Sequence, residues 1–165
     1  MMSNVTNNPT SWITGLMREN YDAVGFIPET TVHARYVQCG QYVLQKNEHG
    51  RRVGYLLYGP VSSQGVVCVT QHVIQEEKRG HGYGELAWQE LLRRCLLCGA
   101  DTIRLHCATI LPSLMFWQQM GFTIYANVPG GTHRGRTIAC MAFDCGLPLF
   151  AHKEELYAST RPLVY

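Results

Sequence analysis

The six residues Arg79-Gly80-His81-Gly82-Tyr83-Gly84 lie between a β-branched apolar run and a pattern typical of a helix. Residues 66–74 (VVCVTQHVI) read as a strand, and the apolar residues after the glycines recur at helical spacing until Gly99. Glycine lets the backbone approach a ligand closely, and the unpaired N–H groups of a helix N-terminus attract anions. The junction therefore predicts a binding site for a phosphate or a pyrophosphate.

The spacing of these glycines excludes two common nucleotide-binding motifs. A P-loop ends in Gly-Lys-Ser/Thr, and the dinucleotide fingerprint is Gly-x-Gly-x-x-Gly. The form found here is Arg-x-x-Gly-x-Gly. It resembles the pyrophosphate loop of the GNAT-type N-acetyltransferases, which hold acetyl-coenzyme A at this loop. A plain strand-to-helix connection without a ligand is the alternative interpretation.

A second segment supports this resemblance. Residues 102–107 read as a strand, and residues 111–120 read as a short helix that ends at Gly121-Phe122. Members of the family typically carry an apolar-aromatic helix ending in Gly-Phe about 30 to 40 residues after the phosphate loop, and the segment 116–122 (FWQQMGF) matches it. Two more strand-like runs follow at residues 123–128 and 137–143.

The order of elements predicts the fold. Upstream of the loop, residues 41–45 and 53–58 flank the hairpin signal Asn47-Glu48-His49-Gly50. The resemblance covers about residues 40–145 and implies an α/β (α+β) fold, a GNAT-like mixed, largely antiparallel central sheet flanked by helices. We expect residues 1–165 to form a single acyltransferase domain. Residues 146–165 form a C-terminal extension, apolar enough to pack back or to support a homodimer.

Two helices are expected before this core. Thr10 or Ser11 can cap a helix that runs to about Asn20, and Pro28-Glu29 can open a second helix that ends near Gly40. The usual first strand of the family is not evident in front of them. We therefore expect a trimmed or rearranged N-terminal edge of the sheet.

Composition limits the classes of function. The 165 residues are 46% hydrophobic and only 16% charged, which favours a globular protein over a disordered one. The formal net charge of +2 is too small to imply nucleic-acid binding by itself. No apolar run approaches the roughly 20 residues that span a bilayer, and the N-terminus lacks the pattern of a signal peptide. We expect no membrane partner and a cytoplasmic location.

The seven cysteines are interpreted as reduced thiols rather than as a disulfide framework, since their number is odd and they are spread over predicted strands and helices. Cys95-x-x-Cys98 lies late in an amphipathic helix, with no second pair to complete a zinc site. It is interpreted as apolar helix surface. No metal is expected.

The resemblance implies transfer of an acetyl group from acetyl-coenzyme A to an amine. It assigns the pyrophosphate to Arg79, Gly80, His81, Gly82, Tyr83 and Gly84. It assigns the pantetheine arm to the backbone of the preceding strand, at His72, Val73 and Ile74. The side chains of Val73 and Ile74 are expected in the core as well.

The base and the acid depart from the family pattern. Relatives often place Glu or His where this chain has Cys68 and Thr70, so the nearest candidate base is His72, whose unperturbed pKa is about 6.5. Gln71 cannot titrate, but it can orient the acceptor or a water. A one-residue bulge would exchange which of the two faces the cleft. His72 as a purely structural histidine stays open.

The acceptor site is the least defined. Trp117 stands where relatives often have a tyrosine that acts as general acid, and its indole N–H can donate but cannot serve as an acid. Arg134 and Arg136 lie in a glycine-rich loop and suit a carboxylate or a phosphate, although a solvated hairpin tip is the common explanation of such a loop. The acceptor stays open among a small molecule, a peptide and a nucleic acid.

Two alternative functions remain open. One is a binding module that kept the fold and lost the chemistry, because neither the usual base nor the usual acid is present. The other is a nucleic-acid base modification, since the aromatic helix and the Gly-Gly…Arg-x-Arg loop look similar to those of phage-encoded GNAT-fold proteins.

Overall fold

The computed structural model describes residues 8–131 and 135–146. The predicted site residue Arg134 and all but the first residue of the predicted extension 146–165 lie outside these ranges. The expectation of one domain over residues 1–165 stays a prediction. Within the described part, no helix is both long and apolar enough to traverse a lipid bilayer.

The sheet confirms the predicted fold class. Six strands are hydrogen-bonded in the order β1-β2-β3-β4-β6-β5. Every neighbouring pair is antiparallel except β3 with β4, which is parallel. The strands are β1 Tyr42–Lys46, β2 Arg52–Tyr58, β3 Val66–Ile74, β4 Thr102–Ala108, β5 Thr123–Pro129 and β6 Thr137–Asp144.

The helices follow the predicted order. They are α1 Thr10–Glu19, α2 Tyr21–Val24, α3 Glu29–Thr31, which continues as a π-helix over Val32–Val37, α4 Tyr83–Leu97 and α5 Ser113–Gln119. The second predicted helix ends at Val37, and Gly40, whose φ of +67° suits glycine, closes the turn that follows it. The cap of α1 differs from the prediction, because the side-chain oxygen of Asn8 accepts the backbone N–H of Thr10 at 3.0 Å.

The two faces of the sheet carry separate apolar clusters. One face, with α4 and α5, holds the main cluster, which includes Val67, Val69, Trp88, Leu91, Ile103, Leu105, Cys107, Trp117, Phe122 and Met141. The other face, with α1 and the π-helix, holds the N-terminal cluster Ile13, Leu16, Met17, Val32, Tyr36, Tyr55, Leu57 and Val73. The buried side of α4 carries Ala87, Trp88, Leu91 and Cys95, whereas Leu86 in its first turn is half exposed.

A bulge in β3 decides the orientation of its functional end. Leu57 of β2 pairs with Gln71, whereas the next residue, Tyr58, pairs with Val69. Thr70 is the extra residue, and its hydroxyl accepts from Tyr36 on the N-terminal face. Gln71 therefore faces the N-terminal helices, and His72 faces α4 and α5.

The parallel pair β3–β4 is hydrogen-bonded only at its beginning. The register runs from Val66 opposite Thr102 to Cys68 opposite Arg104 and then stops. Beyond this point the two strands separate. The second half of β3 and the second half of β4 therefore border a gap in the middle of the sheet.

The cysteines divide by burial. Four free thiols are buried, which fits the interpretation of the cysteines as reduced: Cys95, Cys107, Cys140 and Cys145. Cys98 is exposed at the end of α4, so only the first cysteine of the C-x-x-C pair is a core residue.

Candidate functional site

A single cavity joins the gap between β3 and β4 to the phosphate loop. Its volume is about 660 Å³, within the range of pockets that hold cofactors. Its lining comes from four places: the ends of β3 and β4, the loop at 78–85, α5, and the α1–α2 segment at Asn20, Ala23 and Val24. The glycine-rich loop and the separated strands thus form one continuous site.

The loop backbone is held in the conformation that only glycine adopts easily. Gly80 has a φ of +76°, and Gly82, which precedes α4, has a φ of +83°. A β-carbon added at either position would meet no atom within 4 Å, so the space above the loop is open. The N–H groups of the first turn of α4 point into that space with the helix dipole behind them, which is the geometry of an anion site.

The side chain of Arg79 forms two hydrogen bonds that connect elements of the site. Its Nε donates to the carbonyl of Ile74 at 3.1 Å, and its Nη2 donates to Oδ1 of Asn20 at 2.7 Å. The arginine thereby connects the end of β3 to the C-terminus of α1. These bonds favour the backbone of the loop, rather than this guanidinium, as the main ligand of a phosphate.

The side chains of His81 and Tyr83 also stabilise the loop. Nδ1 of His81 lies 2.9 Å from the carbonyl oxygen of Arg79. The rings of His81 and Tyr83 stack with their centroids 6.4 Å apart. The Tyr83 hydroxyl donates to Oε2 of Glu48 at 3.1 Å, which connects the loop to the β1–β2 hairpin. His81 is exposed and Tyr83 is half-buried, so each keeps part of its surface available to a ligand.

Gly84 is required by close packing rather than by its φ. An added β-carbon would lie 3.3 Å from Cε2 of Phe116 and 3.5 Å from Cε1 of His72. The N-terminus of α4 can approach β3 and α5 this closely only because residue 84 has no side chain.

The backbone of β3 alternates between its two neighbours. The N–H of Gln75 donates to the carbonyl of Val53 at 2.9 Å, so the amide groups of residues 75 and 73 point toward β2. The N–H and C=O groups of His72 and Ile74 consequently point into the gap. Val73 directs its backbone at β2 and buries its side chain in the N-terminal cluster, so the backbone of Ile74 suits a pantetheine contact better than that of Val73.

The imidazole of His72 is enclosed by aromatic rings. The ring centroids of Phe116 and Trp117 lie 5.6 Å and 5.4 Å away. The residue retains a little exposed surface, but its Nε2 is fully buried and has no hydrogen-bond partner among the described residues. Burial lowers the pKa of His72 to about 4. The pKa of His72 therefore lies below the unperturbed value of about 6.5, and this ring is neutral at pH 7.

The side-chain amide of Gln71 connects Tyr55 of β2 to Val24 of α2 on the N-terminal face of the sheet. The Tyr55 hydroxyl donates to its Oε1 at 3.0 Å, and its Nε2 donates to the carbonyl of Val24 at 3.0 Å. Gln71 is only 4% exposed. It fixes the α2 end of the cavity, and it is the structure's clearest example of a satisfied buried amide.

The two predicted acceptor residues that the structure describes, Trp117 and Arg136, have different environments. Trp117 is 5% exposed and packs edge-on against Trp88 in the main cluster, although it also lines the cavity. Arg136 donates to the carbonyl of Asp22 at 2.5 Å and so connects the β5–β6 loop to α2. Within residues 8–131 and 135–146, no group of three or more His, Cys, Asp or Glu side chains is arranged to hold a metal ion.

Two cavity residues were missed by the sequence analysis. His106 is an exposed residue of β4 that lines the cavity, and Ser113 at the start of α5 lies 3.3 Å from the Cys107 thiol. The alternation of β4 carried the signal for His106, because Leu105 and Cys107 are apolar and the residue between them must face the other side.

Residues 6–122 match the model of the acetyltransferase (GNAT) family. No protein of the curated collection matches the sequence. Solved structures do match in fold: Ard1 from Thermoplasma volcanium has 14% sequence identity and a TM-score of 0.72, and the match covers 86% of this chain and 95% of that one.

Two further similar structures are enzymes of known acceptor. The ribosomal-protein-S18-alanine N-acetyltransferase from Escherichia coli has 13% identity and a TM-score of 0.67, covering 87% of this chain and 92% of its own. The spermidine N-acetyltransferase from Vibrio cholerae, solved with CoA and spermine, has 12% identity and a TM-score of 0.70, covering 86% and 93%. At such identities the likeness shows the fold alone.

Proposed function

The chain belongs to the acetyltransferase (GNAT) family, and from this premise we propose that it transfers an acetyl group from acetyl-coenzyme A to an amine of an acceptor. One observation carries the proposal: the open glycine loop at the N-terminus of α4 and the gap between β3 and β4 share one cavity. A pyrophosphate and the arm attached to it require such a continuous path. The cytoplasm is the location that we propose for the reaction.

The proposed coenzyme contacts are mostly backbone groups. The loop at 79–84 offers N–H groups to the pyrophosphate. The N–H groups of His72 and Ile74 and the carbonyl of His72 point into the gap and offer hydrogen bonds to the pantetheine amides, whereas the carbonyl of Ile74 already accepts from Arg79. The N–H groups of His72 and Ile74 can also polarise the thioester carbonyl as negative charge develops on its oxygen. The orphan Nε2 of His72 would gain a partner from the bound arm or from an ordered water.

The chemistry needs a deprotonated amine and an expelled thiolate. Gln71 cannot take the proton, and in our proposal it shapes the acceptor side through Val24. As a base, His72 would act with a proton affinity that burial reduces, because its pKa is about 4. The thiolate is a good leaving group, so Trp117 in the position of the usual tyrosine does not prevent the reaction.

A binding module without catalysis is the second candidate. It is favoured by the sealed environment of His72 and by the structural bonds of Gln71, since neither sequence-predicted catalytic group is free to act. Acceleration of acetyl transfer above the spontaneous rate would exclude it. The bond of Arg136 to Asp22 leaves no separate observation in favour of a nucleic-acid acceptor.

Calorimetric titration with acetyl-coenzyme A tests the proposed function. Gly82→Glu places a carboxylate at the predicted pyrophosphate position, and binding should fall more than a hundredfold. Gly99→Glu is the matched control, because Gly99 also has a positive φ of +73° and open surroundings but lies at the other end of α4. Thermal melting of both variants checks that they fold. Absence of binding by the parent, or equal losses in both variants, would refute the proposal.

A further inference from the structure

The gap between β3 and β4 is bordered by two imidazoles on opposite faces of the sheet. His72 contacts Phe116 and Trp117 on the α4–α5 face. On β4, Leu105 and Cys107 belong to the main cluster on that same face. Because side chains alternate along a strand, His106 projects from the other face, where the N-terminal helices lie.

His106 stands at the point where the strands have separated. The last hydrogen-bonded pair is Cys68 with Arg104, and His106 follows Arg104 by two residues on the same face. Thr70 lies on that face of β3 and is exposed, and so is His106. Both line the cavity together with Asn20 and Val24 of the N-terminal helices.

The two faces of the gap offer different environments to an incoming amine. On the α4–α5 face, aromatic rings close the cavity around His72 and seal its Nε2. On the N-terminal face, the polar residues Thr70 and His106 are exposed to solvent, and Ala23 and Val24 line the cavity beside them. An ammonium group is strongly hydrated, so it reaches the thioester at lower cost from the polar side. A base on that side can also return its proton to water.

Resting on the proposed function, we infer that His106 is the general base that removes the proton from the acceptor amine. Neutral imidazole takes one proton from the ammonium, directly or through one water, and later releases it to solvent. The free amine then attacks the thioester carbonyl carbon. A C–N bond forms, the C–S bond breaks, and the second nitrogen proton leaves with coenzyme A as its thiol. His72 is left as a contact of the bound coenzyme.

Other titratable or charged groups surround His106, and the test must separate them from it. They are Arg104 on the same strand, Cys68 on β3, Cys140 on β6, His72 across the gap, Tyr125 on β5 beneath Arg104, and Arg136 with Asp22 at the rim. A substitution of His106 alone therefore has to remove the pH dependence while these groups remain.

The experiment compares His106→Gln with the control His49→Gln. His49 is exposed at the hairpin tip and lies outside the cavity lining. Binding of acetyl-coenzyme A is measured by calorimetry. Turnover is measured as free thiol released with four acceptors: water, spermidine, an aminoglycoside and a peptide that begins with alanine. The pH profile of kcat is recorded with the best of them.

We expect His106→Gln to bind acetyl-coenzyme A as the parent does, to lose at least a hundredfold in kcat, and to lose the acid limb of the profile. Added imidazole should restore part of the rate. His49→Gln should match the parent. Unchanged turnover, or an unchanged acid limb, in His106→Gln would overturn this inference and leave the proposed function standing. A parent that binds no acetyl-coenzyme A, or that releases no thiol above background with any acceptor, would overturn both.

Discussion

Replacing His72 by leucine should remove much of the acid sensitivity of the fold. Burial lowers the pKa of His72 from 6.5 to about 4 in the folded chain, whereas the unfolded chain keeps the ordinary value. Between these two pH values the unfolded state binds a proton that the folded state does not. The folded state therefore loses stability as the pH falls through this window, and the loss is complete at about pH 4.

The size of the effect follows from the two pKa values. A pKa difference of about 2.5 corresponds to a loss of roughly 3.4 kcal/mol in the free energy of unfolding at full titration. The linkage relation places about 2 kcal/mol of this loss between pH 7 and pH 5. Leucine fits the apolar surroundings of Phe116 and Trp117 and cannot titrate. It also removes the unpaired buried Nε2, so the variant should gain about 1 kcal/mol at pH 7.

Urea unfolding at pH 7 and pH 5 measures this difference. With a slope of about 2 kcal/mol per molar, the midpoint of the parent should fall about 1 M further than that of His72→Leu. His49→Gln should follow the parent, because that side chain is 74% exposed. Parallel losses in the parent and in His72→Leu would refute the reasoning, since the histidine would then titrate in the same way in both states.

Two further predictions separate structural from functional roles. Gln71→Ala should cost roughly 3 kcal/mol in the free energy of unfolding, because it leaves a buried tyrosine hydroxyl and a backbone carbonyl unpaired; a loss of turnover without a loss of stability would contradict this. Gly84→Ala should weaken acetyl-coenzyme A about tenfold in calorimetry, because its methyl group pushes α4 away from Phe116. Its unfolding free energy should change by less than about 1 kcal/mol, since alanine's helix propensity offsets the strain, and unchanged affinity would show that α4 tolerates the shift.

The sequence predicted the elements whose signals are local. Hydrophobic alternation, the Asn-x-x-Gly turn and the glycines at 80, 82 and 99 depend only on neighbouring residues, and the strands and helices lie where these patterns place them. The resemblance added the fold class, a mixed and largely antiparallel sheet flanked by helices, which no periodicity contains.

The side chains of the site could not be placed in the same way, because their partners are distant in sequence. Arg79 bonds to Asn20 across 59 positions, and Gln71 bonds to Val24 across 47. The bulge at Thr70 arises from the pairing of β3 with β2, and it alone decides that His72 enters the aromatic enclosure. The low pKa of His72 follows from that enclosure, so the sequence could supply only the reference value.

A crystal structure with acetyl-coenzyme A bound tests the central claim most directly. We expect the pyrophosphate within about 3 Å of backbone nitrogens in the loop 79–84, which is the distance of an N–H···O hydrogen bond. We also expect the pantetheine between β3 and β4, bonded to the backbone of His72 or Ile74, and the acetyl group in the gap between His72 and His106. Coenzyme bound elsewhere on the protein, with the loop and the gap empty, would contradict it.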